Sequence, residues 1–229
     1  MTEGTPPTRM PVPTPRLPLL LAAAALAVLA LAILTLHIGG GGATAPVSSG
    51  GGVEAGPARP VRAYGTEVPY RVMGASEAAI LASMVQVAPR EGDKTFFGLT
   101  TTELSFRYAR SQQAGACTLR DVRVDLAVTT VLPQWTHPPD APDALTRDWA
   151  RFEAALRRHE DRHRVLAEAG AEAVRAELDG LTAATCAEAD AEARRRAERV
   201  GIETEAAQRR YDDETGHGES EGASWMLRR

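Results

Sequence analysis

RRHEDRHRVLAEAG, residues 157–170, decides how the second half of this chain is read. Taken with the residues just before it, it sets Trp149, Phe152, Leu156, His159, His163, Leu166 and Gly170 at steps of three and four. That spacing puts side chains on one face of an α-helix. Both histidines fall on the apolar stripe, whereas Arg157, Arg158, Arg162 and Arg164 fall mostly on the other faces. A long helix is therefore expected, with imidazoles toward protein and guanidinium groups toward water. A second helix rich in Ala, Glu and Arg follows a break near Gly180 and runs to about Arg210.

The centre of the stretch, His159-Glu160-Asp161-Arg162-His163, has the spacing His-Glu-x-x-His. Two imidazoles one turn apart can aim nitrogens at a single Zn²⁺, and a glutamate one residue on is placed to act as general base toward a water there. Its structural competitor is a pair of core histidines. A catalytic zinc needs a third protein ligand. Six residues after His163 stands Ala169, and Ala183 occupies the position about twenty residues downstream where a glutamate would serve. The only histidine beyond the motif is His217, between Gly216 and Gly218, and it is the expected third ligand, with Glu188, Glu192 and Glu198 as alternatives. His137, in WTHPPD, reads as a loop residue. Asp212 and Asp213 are candidates to hold a ligand imidazole through its second nitrogen. Tyr211 is a candidate donor to a developing oxyanion. Ordinary polarity at a helix end competes with both assignments.

Upstream, residues 66–73 (TEVPYRVM) alternate as a strand, with Pro69 marking an edge. Ser76 caps a short helix that Pro89 stops. KTFFGLT, TELSFRYA and the run from Cys117 to Trp135 have strand character. In the last, Val122, Val124, Leu126 and Val128 alternate with Arg123, Asp125 and Ala127, the pattern of a half-buried antiparallel strand. The expected fold class is α+β and zincin-like: a small antiparallel sheet, a short N-terminal helix and two long C-terminal helices, preceded by one transmembrane helix.

That transmembrane helix is residues 17–38, almost wholly apolar and about 33 Å long as a helix. An uncleaved anchor is favoured over a signal segment, because the small-residue junction at Ala43-Thr44-Ala45 is followed by Pro46. Arg9 and Arg16 would keep residues 1–16 in the cytoplasm and send the rest outward. Cleavage would instead leave a secreted or periplasmic protein. Residues 39–63, opening GGGGATAPVSSGGG, have too little apolar surface to pack and form a tether, so the extracytoplasmic domain is residues 64–229. Its two cysteines, Cys117 and Cys186, are expected to pair in that oxidising setting. The whole chain has 26 basic and 30 acidic residues and a net charge of −4, and along the helices the two signs are interleaved, so nucleic acid is not an expected partner.

The residues Tyr70-x-Val72-x-Gly74, Pro89, Cys117, Leu132-Pro133-x-Trp135, Trp149-x-x-Phe152, the His-Glu-x-x-His helix, Cys186 and Tyr211-Asp212-x-x-Thr215-Gly216-His217-Gly218 together resemble a bacterial family of predicted secreted zinc-dependent proteases. The resemblance spans about residues 70–222. It implies an envelope metallopeptidase in which His159, Glu160, His163 and His217 form one site. The substrate would be a peptide or a cell-envelope amide. A non-catalytic envelope module, with a structural metal or core histidines, is the competing expectation.

Overall fold

The period-two run of valines lies on β5, Ala116–Trp135, the central strand of the domain. Val122, Val124, Leu126 and Val128 are buried while Arg120 and Ala127 are exposed, so one face of β5 is covered and the other meets water. Each buried aliphatic side chain of this kind stabilises the fold by about 1.5–3 kcal/mol. The computed structural model describes residues 60–225. The 1–16 tail, the apolar segment 17–38 and the tether up to residue 59 lie outside the described residues. Among those described, no helix is long and apolar enough to cross a membrane.

β4, Leu99–Gln113, pairs antiparallel with β5. The two-residue loop between them, Ala114 and Gly115, has both φ angles positive (48° and 79°), the twist a tight hairpin requires. β1, Val61–Val72, lies on the other side of β5 and gives the order β1-β5-β4. It runs parallel to β5, from Val61 opposite Val124 to Val72 opposite Trp135. The sheet is therefore mixed, a correction to the antiparallel sheet expected from the sequence. β1 is an edge strand exposed over most of its length, so its side-chain pattern reports neither a buried face nor a direction. Pro69 sits on that edge, where its missing N–H leaves no gap in an interior ladder.

α1, Glu77–Val87, begins at Ser76, whose hydroxyl accepts from the Ala79 N–H, and buries Ile80 and Met84. The stretch KTFFGLT is not one strand. Arg90–Glu91 (β2) and Lys94–Thr95 (β3) form a two-rung hairpin, after which Phe96, Phe97 and Gly98 turn inward before β4 starts. Tertiary contacts override strand propensity there: the Tyr70 hydroxyl donates to the Phe97 carbonyl at 2.8 Å, and the Phe97 ring meets Phe152 edge-on.

Two long helices complete the domain, α2 from Asp143–Leu178 and α3 from Cys186–Thr215. A capping box of Thr185 and Glu188 starts α3, and Gly216 ends it in the left-handed conformation. Ala189, Ala193 and Ala197 are fully buried, and their small side chains let α3 lie close to its neighbours. Between the helices, β6 (Thr182–Ala183) pairs with Cys117 and Thr118 and brings Cys186 to Cys117. The two cysteines form a disulfide with a Cα–Cα distance of 5.0 Å, joining β5 to the start of α3 as expected.

The apolar interior falls into two clusters. One gathers Val122–Val128 of β5, the C-terminal half of α2 from Ala167 onward, and the alanine stripe of α3. The other gathers Val72, α1, Leu132, Trp135, Trp149, Phe152, Leu156 and Trp225. On α2 the stretch between them, 157–166, carries three buried polar residues, His159, Glu160 and His163.

Candidate metal centre

At this seam α2 supplies His159 and His163, 3 % and 9 % exposed, with their rings 4.9 Å apart. The last two turns of α3 lie alongside and supply Gln208, Tyr211 and Asp212. The chain then reverses through Gly216, His217 and Gly218 into a single 3-10 turn, Glu219–Glu221, which brings Glu221 back over α2. Gly218 makes this return possible: a Cβ there would stand 2.9 Å from His159 Cγ and from Ala223 Cβ, at a φ of +83°.

Three atoms converge. His159 Nε2 and His163 Nε2 are 3.3 Å apart, and Asp212 Oδ1 lies 3.2 Å from the first and 2.9 Å from the second. These residues form the one group of possible metal ligands found among the described residues. The other nitrogen of each imidazole is engaged elsewhere. His159 Nδ1 stands 3.1 Å from Glu221 Oε2, and His163 Nδ1 meets Gln208 Oε1, whose amide nitrogen donates to the His163 carbonyl. A carboxylate only accepts, and the Gln208 amide presents its oxygen, so both Nδ1 atoms carry the proton in these bonds. Both Nε2 atoms face the Asp212 oxygen at hydrogen-bond distance, where a proton or a cation must stand between ring and carboxylate.

The electrostatics follow from that crowding. Burial acts to raise the Asp212 carboxyl, but bonds to His159 and His163 outweigh it and hold the group well below the usual carboxylate range. For His163, burial favours the neutral ring, yet Asp212 and Gln208 prevail and raise its proton affinity. Glu160, 4 % exposed, is raised, chiefly by burial, against the lowering effects of Thr100 and the two imidazoles. Its Oε2 accepts from the Thr100 hydroxyl at 2.8 Å, so the side chain is held at the start of β4, beside the histidines.

The other residues singled out in the sequence are distributed unevenly. Tyr211 stacks on His159 with ring centroids 4.8 Å apart, and its hydroxyl donates to Glu221 Oε2 at 2.7 Å. Burial and the Glu221 carboxylate raise its pKa well above the ordinary tyrosine value. Asp212 faces the Nε2 atoms, not the second nitrogens. Asp213 is exposed. His217 has a positive φ of 54°, meets Phe96 edge-on at 5.4 Å, and places Nδ1 3.6 Å from Asp212 Oδ1 with its side chain 47 % exposed. Glu188 belongs to the α3 cap and Glu192 to ion pairs with Arg195 and Arg196. Glu188, Glu192 and Glu198 precede Asp212 by roughly 36, 30 and 21 Å along the helix axis. His137 lies in its loop against Trp135. Sequence reasoning missed Gln208, Glu221, Thr100 and Gly98. The run HGESEG did hold a signal for Glu221, since glycines on either side of an acidic pair mark a tight return.

The fold is thus an α+β domain whose long helix presents two histidines and a buried glutamate to a carboxylate from a second helix. The chain belongs to a bacterial family of proteins of unknown function, DUF922, which matches residues 68–218. Neither a curated protein nor a solved structure matches the chain. The family match takes in His159, Glu160, His163, Asp212 and His217 and ends before Glu221 and Trp225.

Proposed function

We propose that this domain is a zinc-dependent hydrolase, a metallopeptidase or cell-envelope amidase held outside the membrane by residues 17–38. The observation that carries the reading is the convergence of three possible ligand atoms at separations of 3.3, 3.2 and 2.9 Å. Around a zinc ion with ligands at about 2.0–2.1 Å, a tetrahedral arrangement has edges of about 3.3–3.4 Å. With both Nδ1 atoms protonated, a cation at the centre of this triangle would take the place of the Nε2 protons that otherwise bridge to Asp212. The disulfide supports the extracytoplasmic setting, since such bonds persist in oxidising compartments.

On this reading His159, His163 and Asp212 hold the ion, and the neighbouring His217 stands on the solvent side. Zinc, when bound, supplies Lewis acidity for polarising a water and a substrate carbonyl. Glu160 is not drawn into the triangle. Its carboxylate, steadied by Thr100, would take a proton from the attacking water, a step that burial favours by raising its proton affinity, and the more basic leaving amine would then receive that proton. Glu160 is only 4 % exposed, which limits the water that reaches it.

A closed, structural metal site is the second reading, favoured by one observation: His217 is near enough to Asp212 to fill a fourth position. Metal analysis and a peptide-library assay on the full chain separate the two. Glu160→Gln is expected to retain stoichiometric zinc and lose turnover. Absence of zinc from the purified wild type, or undiminished turnover in His159→Ala, would overturn the hydrolase reading.

A further inference from the structure

We propose that Glu221 is the positioning residue for His159, and that Trp225 anchors the turn that delivers it, so that the segment just beyond the family-matched region completes the metal centre. This rests on the reading that His159, His163 and Asp212 hold a metal ion. The two histidines are oriented by different means. Gln208, which sets His163, sits within α3 and is fixed wherever that helix is fixed. Glu221, which sets His159, belongs to a three-residue 3-10 turn flanked by Gly218 and Gly222, both at positive φ. Such a short turn has no stability of its own.

What holds it is contact at both ends. On the near side Gly218 lies against the His159 ring, the Gly218 N–H donates to the Thr215 hydroxyl at 3.1 Å, and the Ala223 N–H returns to the Gly218 carbonyl at 2.9 Å. On the far side the Trp225 ring meets Trp149 and Phe152, each at 5.5 Å, and its indole N–H donates to the Glu77 carbonyl at 3.1 Å. Between these fixed points Glu221 Oε2 accepts from His159 Nδ1 and from Tyr211. The carboxylate thereby keeps a proton on Nδ1 and leaves Nε2 as the atom that faces Asp212 and would take the ion. Without it His159 would be free to exchange tautomers and present an N–H to the ion. Groups in this position typically govern metal affinity by about 10–100-fold.

The test uses the full chain and zinc itself, with affinity measured by chelator competition and the His159 tautomer by long-range ¹H–¹⁵N NMR on the zinc-free protein. Glu221 is only partly buried and fills no core, so Glu221→Ala should stay folded, bind zinc about 10–100-fold more weakly, and show a mixed His159 tautomer. Glu221→Gln keeps an acceptor oxygen and should restore most of the affinity and the Nδ1–H form. Trp225→Ala should reproduce the Glu221→Ala phenotype even though the carboxylate is still present. Wild-type affinity in Glu221→Ala, or an unchanged tautomer, overturns the inference. The outcomes are separable from the functional reading: a chain that binds zinc but hydrolyses nothing ends the hydrolase and leaves Glu221's role standing. If the wild type binds no zinc, the tautomer measurement still decides whether Glu221 sets His159.

Discussion

Gly98 lies against the carboxylate of Glu160: a Cβ at residue 98 would fall inside the contact radius of Glu160 Oε1 and stand 2.9 Å from Leu156 Cδ1. The glutamate thus occupies space that only glycine leaves open. In Gly98→Ala the flexible carboxylate must move, taking it off the Thr100 hydroxyl. On the proposed function, zinc content should be unchanged while turnover falls by about 100-fold, the cost of a displacement near 1 Å. Equal turnover in the two proteins would remove Glu160 from the reaction.

Asp212 and His217 compete for the third place at the proposed ion. Asp212 touches both Nε2 atoms, whereas His217 reaches only toward Asp212 and is half exposed. Asp212→Ala should therefore weaken zinc binding by far more than His217→Ala, which is expected to cost about tenfold or less, as an outer-shell group would. The reverse order in a chelator titration would make His217 the ligand, as the sequence alone suggests.

Asp190 ties α3 to β4, accepting from Tyr108 at 3.0 Å and from Arg110 at 2.9 Å. Burial acts to raise its carboxyl, but these two donors outweigh it and lower the pKa. A carboxyl depressed in the folded state adds stability above its unfolded value of about 3.9, and that stability is lost as pH falls through the lower folded value. The melting temperature of Asp190→Asn should lie below wild type at pH 6, and the gap should close as the pH is taken from about 4 to 2. A gap that persists at pH 2 would assign the effect to packing.

The disulfide closes a loop with a sequence separation of 69. Replacing both cysteines by serine releases about 4 kcal/mol of loop-closure entropy to the unfolded chain. Urea unfolding should show a midpoint shifted down accordingly. Reduced wild type should unfold at the same concentration as the double variant.

Much of this arrangement is legible in the residues. The α2 stripe through Trp149, Phe152, His159 and His163, the Ser76 cap, the β5 valines and the cysteine pair each reflect a local period or a count. The direction of β1 is not legible, because an exposed edge strand carries no imprint of its partner. Nor is the part played by Asp212. The sequence places it near the histidines only in outline, and whether it faces Nε2 or Nδ1 depends on how α3 is rotated about its axis, with each residue turning the side chain by about 100°. Gln208, one turn before Asp212, is hidden for the same reason. Glu221 depends on a backbone reversal at Gly218, which sequence can mark but not aim.

α2 and β5 both run through the two apolar clusters, and the polar belt at 157–166 is where the helix passes from one to the other. Oil-like cohesion is interrupted there, and what bridges the interruption is charge and hydrogen bonding drawn from α2, α3, β4 and the C-terminal turn at once. The belt therefore works as a clasp between two half-domains, one sealed by a disulfide and the other by tryptophans. An ion seated in it would tie the loosening of one cluster to that of the other.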